Sequence, residues 1–177
     1  MPAPGASKGP EDSRLDRLWS PWRAEYIASG GPQESEPRSC LFCHLHGDVN
    51  NDEANYVVYR ASLSFIVLNR YPYISGHLLI VPNEHVGDLD AAAKQTTDEL
   101  MDLTKRAQTA LRETYHPDGF NIGINLGQAA GAGIVDHIHI HILPRWLGDT
   151  NFMTTISEAR VIPEELATTY QKLRSKF

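Results

Sequence analysis

Short runs of β-branched, aromatic and other apolar residues, several alternating with polar residues, occur at five places along the chain. Such runs, bounded by turn-forming residues, are typical of β-strands. The predicted strands span residues 56–59, 63–68, 77–81, 120–126 and 137–143. The pattern therefore predicts a mostly antiparallel sheet of about five strands.

A helical period marks one long segment and both ends of the chain. Over residues 96–115, apolar side chains recur every three or four positions and form one stripe. Thr96 and Glu99 have the spacing of a capping box, which predicts that this helix begins there. Shorter helices are expected in the aromatic segment 15–27 and over 163–176. The fold class predicted is α+β, with one main helix plus terminal helices.

Composition limits the domain organisation and the classes of partner. The chain has 177 residues, of which 41% are hydrophobic and 21% charged, as in one globular domain. Residues 1–13 are rich in Pro, Gly, Ser and Ala and predict a disordered tail, leaving 14–177 as a single domain. The net charge of −6 argues against a nucleic-acid polymer as partner. Neither a membrane span nor a secretory signal is recognisable, so we expect a cytoplasmic location and no membrane partner.

Three histidines alternate with isoleucines in the last predicted strand. Because side chains at i, i+2 and i+4 point to one face of a strand, His137, His139 and His141 share a face. The row could be a surface cluster, a set of metal ligands, or a site where one neutral imidazole attacks phosphorus. The glycine-rich segment 127–133 before the strand favours the last interpretation, since its backbone N–H groups can approach phosphate oxygens.

The two cysteines of the chain form one CxxC motif, Cys40 and Cys43. In a cytosolic chain this spacing is typical of a metal site or a redox pair. A redox pair would need a thioredoxin-like context, which this order of elements does not supply. A zinc site needs further nitrogen or sulfur ligands. His85 and His137 are the candidates, with His44 and His46 as nearby substitutes for His85.

The run His137-Ile-His139-Ile-His141-Ile-Leu resembles the signature of the histidine-triad (HIT) superfamily. The resemblance covers roughly residues 15–176. Further matching segments lie at residues 18–27, 68–73, 76–78 and 144–152. Together they resemble the bacterial branch that includes diadenosine tetraphosphate phosphorylases and hydrolases. The resemblance implies a HIT-like fold and an enzyme that acts on a small nucleotide, an adenosine or guanosine phosphate.

The resemblance also implies a role for individual residues. His139 corresponds to a nucleophile that forms a covalent nucleotidyl-histidine intermediate. His141 corresponds to the histidine that contacts phosphate and assists the leaving group, and His77 to one that hydrogen-bonds near the nucleophile. The remaining predicted residues contact the nucleotide: Asn69 the ribose, Asn125, Gly131 and Gly133 the phosphate side, and Leu41, Phe42 and Leu68 the base.

For the metal, the resemblance implies a structural zinc held by Cys40, Cys43, His85 and His137, and no catalytic metal. It further implies a homodimer, which the aromatic N-terminal segment and the long helix also suggest. An alternative zinc hydrolase would use all three histidines of the triad as ligands.

Several activities remain open at this stage. The leading hypothesis is hydrolysis of a dinucleoside polyphosphate, and hydrolysis of a phosphoramidate or nucleotidyl adduct is close behind it. Phosphorolysis is an alternative, although Gly133 stands near the position of a serine in the phosphorylase branch and offers no hydroxyl. A nucleotidyltransferase acting on a sugar phosphate and a nucleotide-binding module with little turnover complete the set.

Overall fold

Five strands form one antiparallel sheet in the part of the chain that the computed structural model describes, residues 40–149 and 164–177. The strands are β1 (Val57–Arg60), β2 (Ser64–Leu68), β3 (Leu78–Pro82), β4 (Gly119–Ile124) and β5 (Ile140–Arg145), in the order β1-β2-β3-β5-β4. The helices are α1 (Leu41–Gly47), α2 (Lys94–Tyr115) and α3 (Leu166–Arg174). The predicted α+β fold with one main helix is thereby confirmed. The predicted tail 1–13, the aromatic segment 15–27 and residues 150–163 lie outside the described residues.

The two faces of the sheet pack against different helices. Ile66, Ile80 and Ile142 are among the buried residues that pack with the apolar stripe of α2. Phe65, Val67, Leu79 and other apolar residues form a second cluster with α1 on the opposite face. Both faces of the central strands are therefore covered, and the burial pattern of β2 and β3 is continuous rather than alternating.

The main helix begins two residues before the predicted capping box, so that prediction is wrong. Ala93 is the N-cap residue, and Thr96 is buried inside the helix. The Glu99 carboxylate instead accepts hydrogen bonds from the Leu63 N–H at 2.8 Å and the Ser64 hydroxyl at 2.5 Å. Glu99 thus joins α2 to the start of β2, a long-range contact that local spacing could not reveal.

The strand bounds differ from the predicted ones by a few residues, most clearly at the histidine strand. Regular pairing of β5 begins at Ile140 instead of residue 137, because the preceding segment bonds elsewhere: the Ile138 N–H donates to the Val86 carbonyl at 2.8 Å. The final helix is shorter than the predicted 163–176. No helix among the described residues is long and apolar enough to cross a membrane.

Candidate active site and metal cluster

A cavity of about 330 Å³ lies between α1 and the sheet face that carries the histidines. Its lining includes eight residues predicted from the sequence: Leu41, Phe42, Leu68, Asn69, Gly131, Gly133, His139 and His141. His77 and Asn125 were predicted as well but are not part of the lining. His77 lies behind His141, whereas Asn125 follows the end of β4, and its phosphate contact stays a prediction.

His139 is held with one ring nitrogen unprotonated. Its Nδ1 lies 3.0 Å from the backbone carbonyl of His137, and a carbonyl can only accept, so Nδ1 carries the proton. Nε2 therefore keeps its lone pair. Burial lowers the pKa of His139, which keeps the ring neutral near pH 7. The Phe42 ring packs against the imidazole at a centroid distance of 5.0 Å and limits its rotation.

The proton of His141 is fixed by a chain of two hydrogen bonds. The backbone N–H of Tyr73 donates to Nδ1 of His77 at 3.2 Å, which places the His77 proton on Nε2. That Nε2–H then donates to Nδ1 of His141 at 2.9 Å, so His141 carries its own proton on Nε2, across the ring from His77. His141 is therefore a hydrogen-bond donor on the cavity wall.

His77 is suited to this role because it is buried and neutral. It is 1% exposed, and burial, with smaller effects of His141 and His139, lowers its pKa to about 3. Gly76 allows the close approach of this turn to α2: its φ is +79°, and a Cβ there would lie 3.0 Å from the Leu111 side chain. Asn69 closes the turn by accepting the Tyr71 N–H at 2.9 Å, with its amide nitrogen 3.4 Å from His77 Nδ1.

Four predicted metal ligands come together beside the cavity. The ligand atoms of Cys40, Cys43, His85 and His137 all lie within 4.8 Å of one another. Cys40 Sγ is 3.3 Å from His137 Nδ1, and Cys43 Sγ is 3.3 Å from His85 Nδ1. Zinc bonds of 2.0–2.3 Å in a tetrahedron would separate ligand atoms by about 3.3–3.8 Å, so the donor set fits a metal ion of this type.

The orientation of His137 also fits a metal ligand. Its Nε2–H donates to the Pro82 carbonyl at 2.9 Å, which leaves the Nδ1 lone pair facing the cysteines. His85, rather than His44 or His46, completes the cluster. His137 is the only triad histidine in such a cluster among the described residues, which argues against the alternative in which all three histidines bind one metal.

Sequence reasoning missed several residues of the cavity wall. Val67 and Leu79 form its floor, and their register with His141 could have indicated this once the strand order was known. Asn55 and Arg70 also line the cavity, but no sequence pattern marks either residue as part of a binding site. Helix α1 was missed because seven residues show too little periodicity.

Comparison with known proteins agrees with this geometry. Residues 50–146 match the family model described as HIT domain. An AP-4-A phosphorylase of Mycobacterium tuberculosis is 38% identical over 169 residues, covering 93% of this chain and 85% of that protein. An adenosine 5'-monophosphoramidase of Schizosaccharomyces pombe is 26% identical over 139 residues, covering 78% of this chain and 98% of that protein.

Solved structures show the same similarity. A Zn-bound histidine triad family protein from Mycobacterium smegmatis superposes with a TM-score of 0.63 at 31% identity, covering 78% of this chain and 92% of that one. The family model spans more than half of the sequence, and its matched segment contains the sheet, the main helix and the three histidines. The chain therefore belongs to the HIT domain family.

Proposed function

We propose that this protein is a nucleotide-processing enzyme that cleaves a phosphoanhydride or phosphoramidate bond through a covalent intermediate on His139. The observation that carries the proposal is the orientation of that ring, whose Nδ1–H is bound to the His137 carbonyl while Nε2 keeps its lone pair on the cavity wall. Relatives named as an AP-4-A phosphorylase and an adenosine 5'-monophosphoramidase support this class of activity.

In the first step, Nε2 of His139 attacks the phosphorus of the bound nucleotide. The N–P bond forms as the bond to the leaving group breaks, and the leaving group departs with the electron pair. His141 donates a hydrogen bond from Nε2 to the phosphate oxygens, and His77 maintains the proton there. The glycine-rich segment that contains Gly131 and Gly133 also lines the cavity, which lets the phosphate approach its backbone closely.

In the second step, an oxygen of the acceptor attacks the same phosphorus while the N–P bond breaks, and the electron pair of that bond returns to Nε2 of His139. When the acceptor is water, its proton is released to the solvent. With water the product is a nucleoside monophosphate, and with inorganic phosphate it is a nucleoside diphosphate. We favour water because Gly133 contributes no hydroxyl to hold a phosphate acceptor. The 38% identity to an AP-4-A phosphorylase is the specific observation that favours phosphorolysis as the second candidate.

Product analysis on diadenosine tetraphosphate, with and without inorganic phosphate, tests the proposal. Hydrolysis yields AMP and ATP in either condition, whereas phosphorolysis yields ADP and ATP only when phosphate is present. His139→Asn should still bind the nucleotide, but turnover should fall by at least about 10³-fold because no nucleophile remains.

A matched control for this substitution is His116→Asn. It changes a histidine at the left-handed C-cap of α2, where asparagine is tolerated, and it should leave turnover unchanged. Full activity of His139→Asn would refute the assignment of the nucleophile. A wild-type protein that binds nucleotide tightly without any turnover would instead indicate a binding module.

We also propose that the four-residue cluster holds a structural zinc. The Cys₂His₂ donor set and the Zn-bound relative support this metal.

We further propose that the protein is a cytoplasmic homodimer with residues 14–177 as one domain. Paired thiols in a metal site suit a reducing compartment. β4 is an edge strand with Ile122 46% exposed, which supports pairing with a second copy. Light scattering and cell fractionation would test the dimer and the location.

A further inference from the structure

The cavity has a polar wall at the end farthest from the triad. The strand register places His141 opposite Leu79, Leu79 opposite Val67, and Val67 opposite Val57, so these residues form a row on one sheet face. With strands about 4.8 Å apart, Val67 lies about 10 Å from His141. Asn55 lies just beyond this row, two residues before Val57.

Arg70 lies beside Asn55 on this wall. Its Nη2 is 3.4 Å from the carbonyl of Ala54, the residue before Asn55, and both side chains line the cavity. The guanidinium makes no ion pair with an acidic residue of the described chain, although the protein carries a net charge of −6. Arg70 therefore presents donors to the cavity.

Asn55 presents an acceptor at the same place. Its Nδ2 donates to Asp48 Oδ2 at 2.9 Å. Hydrogen bonds from Asn51 and Asn55 lower the pKa of Asp48, whose ionised carboxylate can only accept. This fixes the orientation of the Asn55 amide, and Oδ1 accepts no hydrogen bond from the described residues.

An apolar slot lies between this polar wall and the histidines of the cavity. Phe42 and Leu45 of α1 lie on one side of it, and Val67 and Leu79 of the sheet lie on the other. Such a slot fits the two faces of a nucleobase, whose edge then meets the polar wall. Adenine offers an acceptor at N7 beside a donor at N6, whereas guanine and hypoxanthine have a second acceptor, O6, in place of that donor.

We propose that Arg70 and Asn55 bind the N7 and N6 edge of the base and make the cavity selective for adenine, a proposal that rests on the nucleotide function proposed above. Arg70 donates to N7, and Asn55 Oδ1 accepts from the N6 amino group. A base with O6 at this position would place two acceptors face to face. The selectivity is therefore produced by the wall farthest from the triad, not by the catalytic groups.

Calorimetric titration with AMP and IMP tests this, since the two nucleotides differ only in the group at position 6 and the proton on the adjacent N1, and neither contains the bond to be cleaved. The wild type should bind AMP about tenfold more tightly than IMP, the effect of one well-placed hydrogen bond against an acceptor clash. Arg70→Met keeps the stem but removes the donors, and should lower AMP affinity about tenfold. Asn55→Ala should bring the AMP to IMP ratio close to one.

The control is Arg112→Met, which removes the same charge from α2, where the guanidinium packs over Phe120, outside the cavity lining. It should bind both nucleotides as the wild type does. Equal affinity of the wild type for AMP and IMP, or unchanged AMP affinity in Arg70→Met, would overturn the inference, while cleavage dependent on His139 would leave the proposed function intact. A wild type that bound neither nucleotide would also overturn the inference, and if it also failed to cleave diadenosine tetraphosphate, the proposed function would be refuted with it.

Discussion

Hydrogen bonds to the backbone determine which ring nitrogen carries the proton in His77, His137 and His139. The carbonyls of His137 and Pro82 accept from His139 and His137, and the N–H of Tyr73 donates to His77. A backbone group cannot change its donor or acceptor role, so these tautomers are set by the fold rather than by pH. Residues 137–141 can therefore hold three imidazoles with different free nitrogens two residues apart, as the proposed nucleophile, hydrogen-bond donor and metal ligand require.

The buried neutral state of His77 makes the free energy of unfolding depend on pH. Because its pKa is about 3 in the folded protein and about 6.5 in an unfolded chain, only the unfolded chain binds a proton between these values. The contribution is present above pH 6.5 and is lost as the pH falls towards 3. Between pH 7 and pH 5 the loss should be about 2 kcal/mol.

Urea denaturation of the wild type and His77→Gln at both pH values measures this loss. Glutamine places an amide near the position of Nε2 but does not titrate, so the stability difference between the two proteins should shrink by about 2 kcal/mol from pH 7 to pH 5. Titrating groups that do not contact His77, including those of the four-residue cluster, are common to both proteins and cancel. Parallel stability curves would show that His77 does not cause the pH dependence.

At the scale of elements, the sequence predicted best where periodicity alone determines structure. The strands were recognised because their apolar residues face the helices, and α2 was recognised because its apolar stripe faces the sheet. The triad was recognised by its alternation of histidine and isoleucine. The start of α2 was misplaced because Glu99 bonds to β2. The polar wall formed by Asn55 and Arg70 was not predicted, since residues from separate loops meet there only through the tertiary fold.

Helix α1 connects the metal cluster to the cavity. Its residue Cys43 belongs to the cluster, while Phe42 packs on both His137 and His139. Loss of the proposed zinc should therefore loosen this helix and lower the stability of the protein more than its turnover. Cys43→Ser should abolish zinc binding and lower the Tm by roughly 6–12 °C, as expected for about 3 kcal/mol. Metal analysis and thermal unfolding measure the two effects.

His46→Asn is the control for this prediction. His46 lies on the same helix and is exposed, but it is outside the four-residue cluster, so this variant should keep one zinc per chain. Zinc loss in His46→Asn would mean that a different ligand set holds the metal. Unchanged zinc content in Cys43→Ser would show that the cluster is not the metal site.

At the scale of the whole molecule, α3 packs into the same core as the sheet. Leu173 is fully buried, and the rings of Tyr170 and Tyr56 lie 6.0 Å apart. Arg174 donates to the Val58 carbonyl of β1 at 3.1 Å. These contacts join residues far apart in sequence, and they support one cooperative unit that includes residues 164–177.

Leu173→Ala tests this cooperativity. Removing a fully buried leucine side chain should lower the free energy of unfolding by about 3 kcal/mol, because the cavity cannot collapse between α3, α2 and the sheet. If α3 belongs to the one unit, fluorescence and circular dichroism should still report a single shared transition in urea. Gln171→Ala removes only an exposed hydrogen bond to Glu53 and should cost less than about 1 kcal/mol. Separate transitions by the two probes in Leu173→Ala would show that α3 unfolds independently of the sheet that carries the histidines.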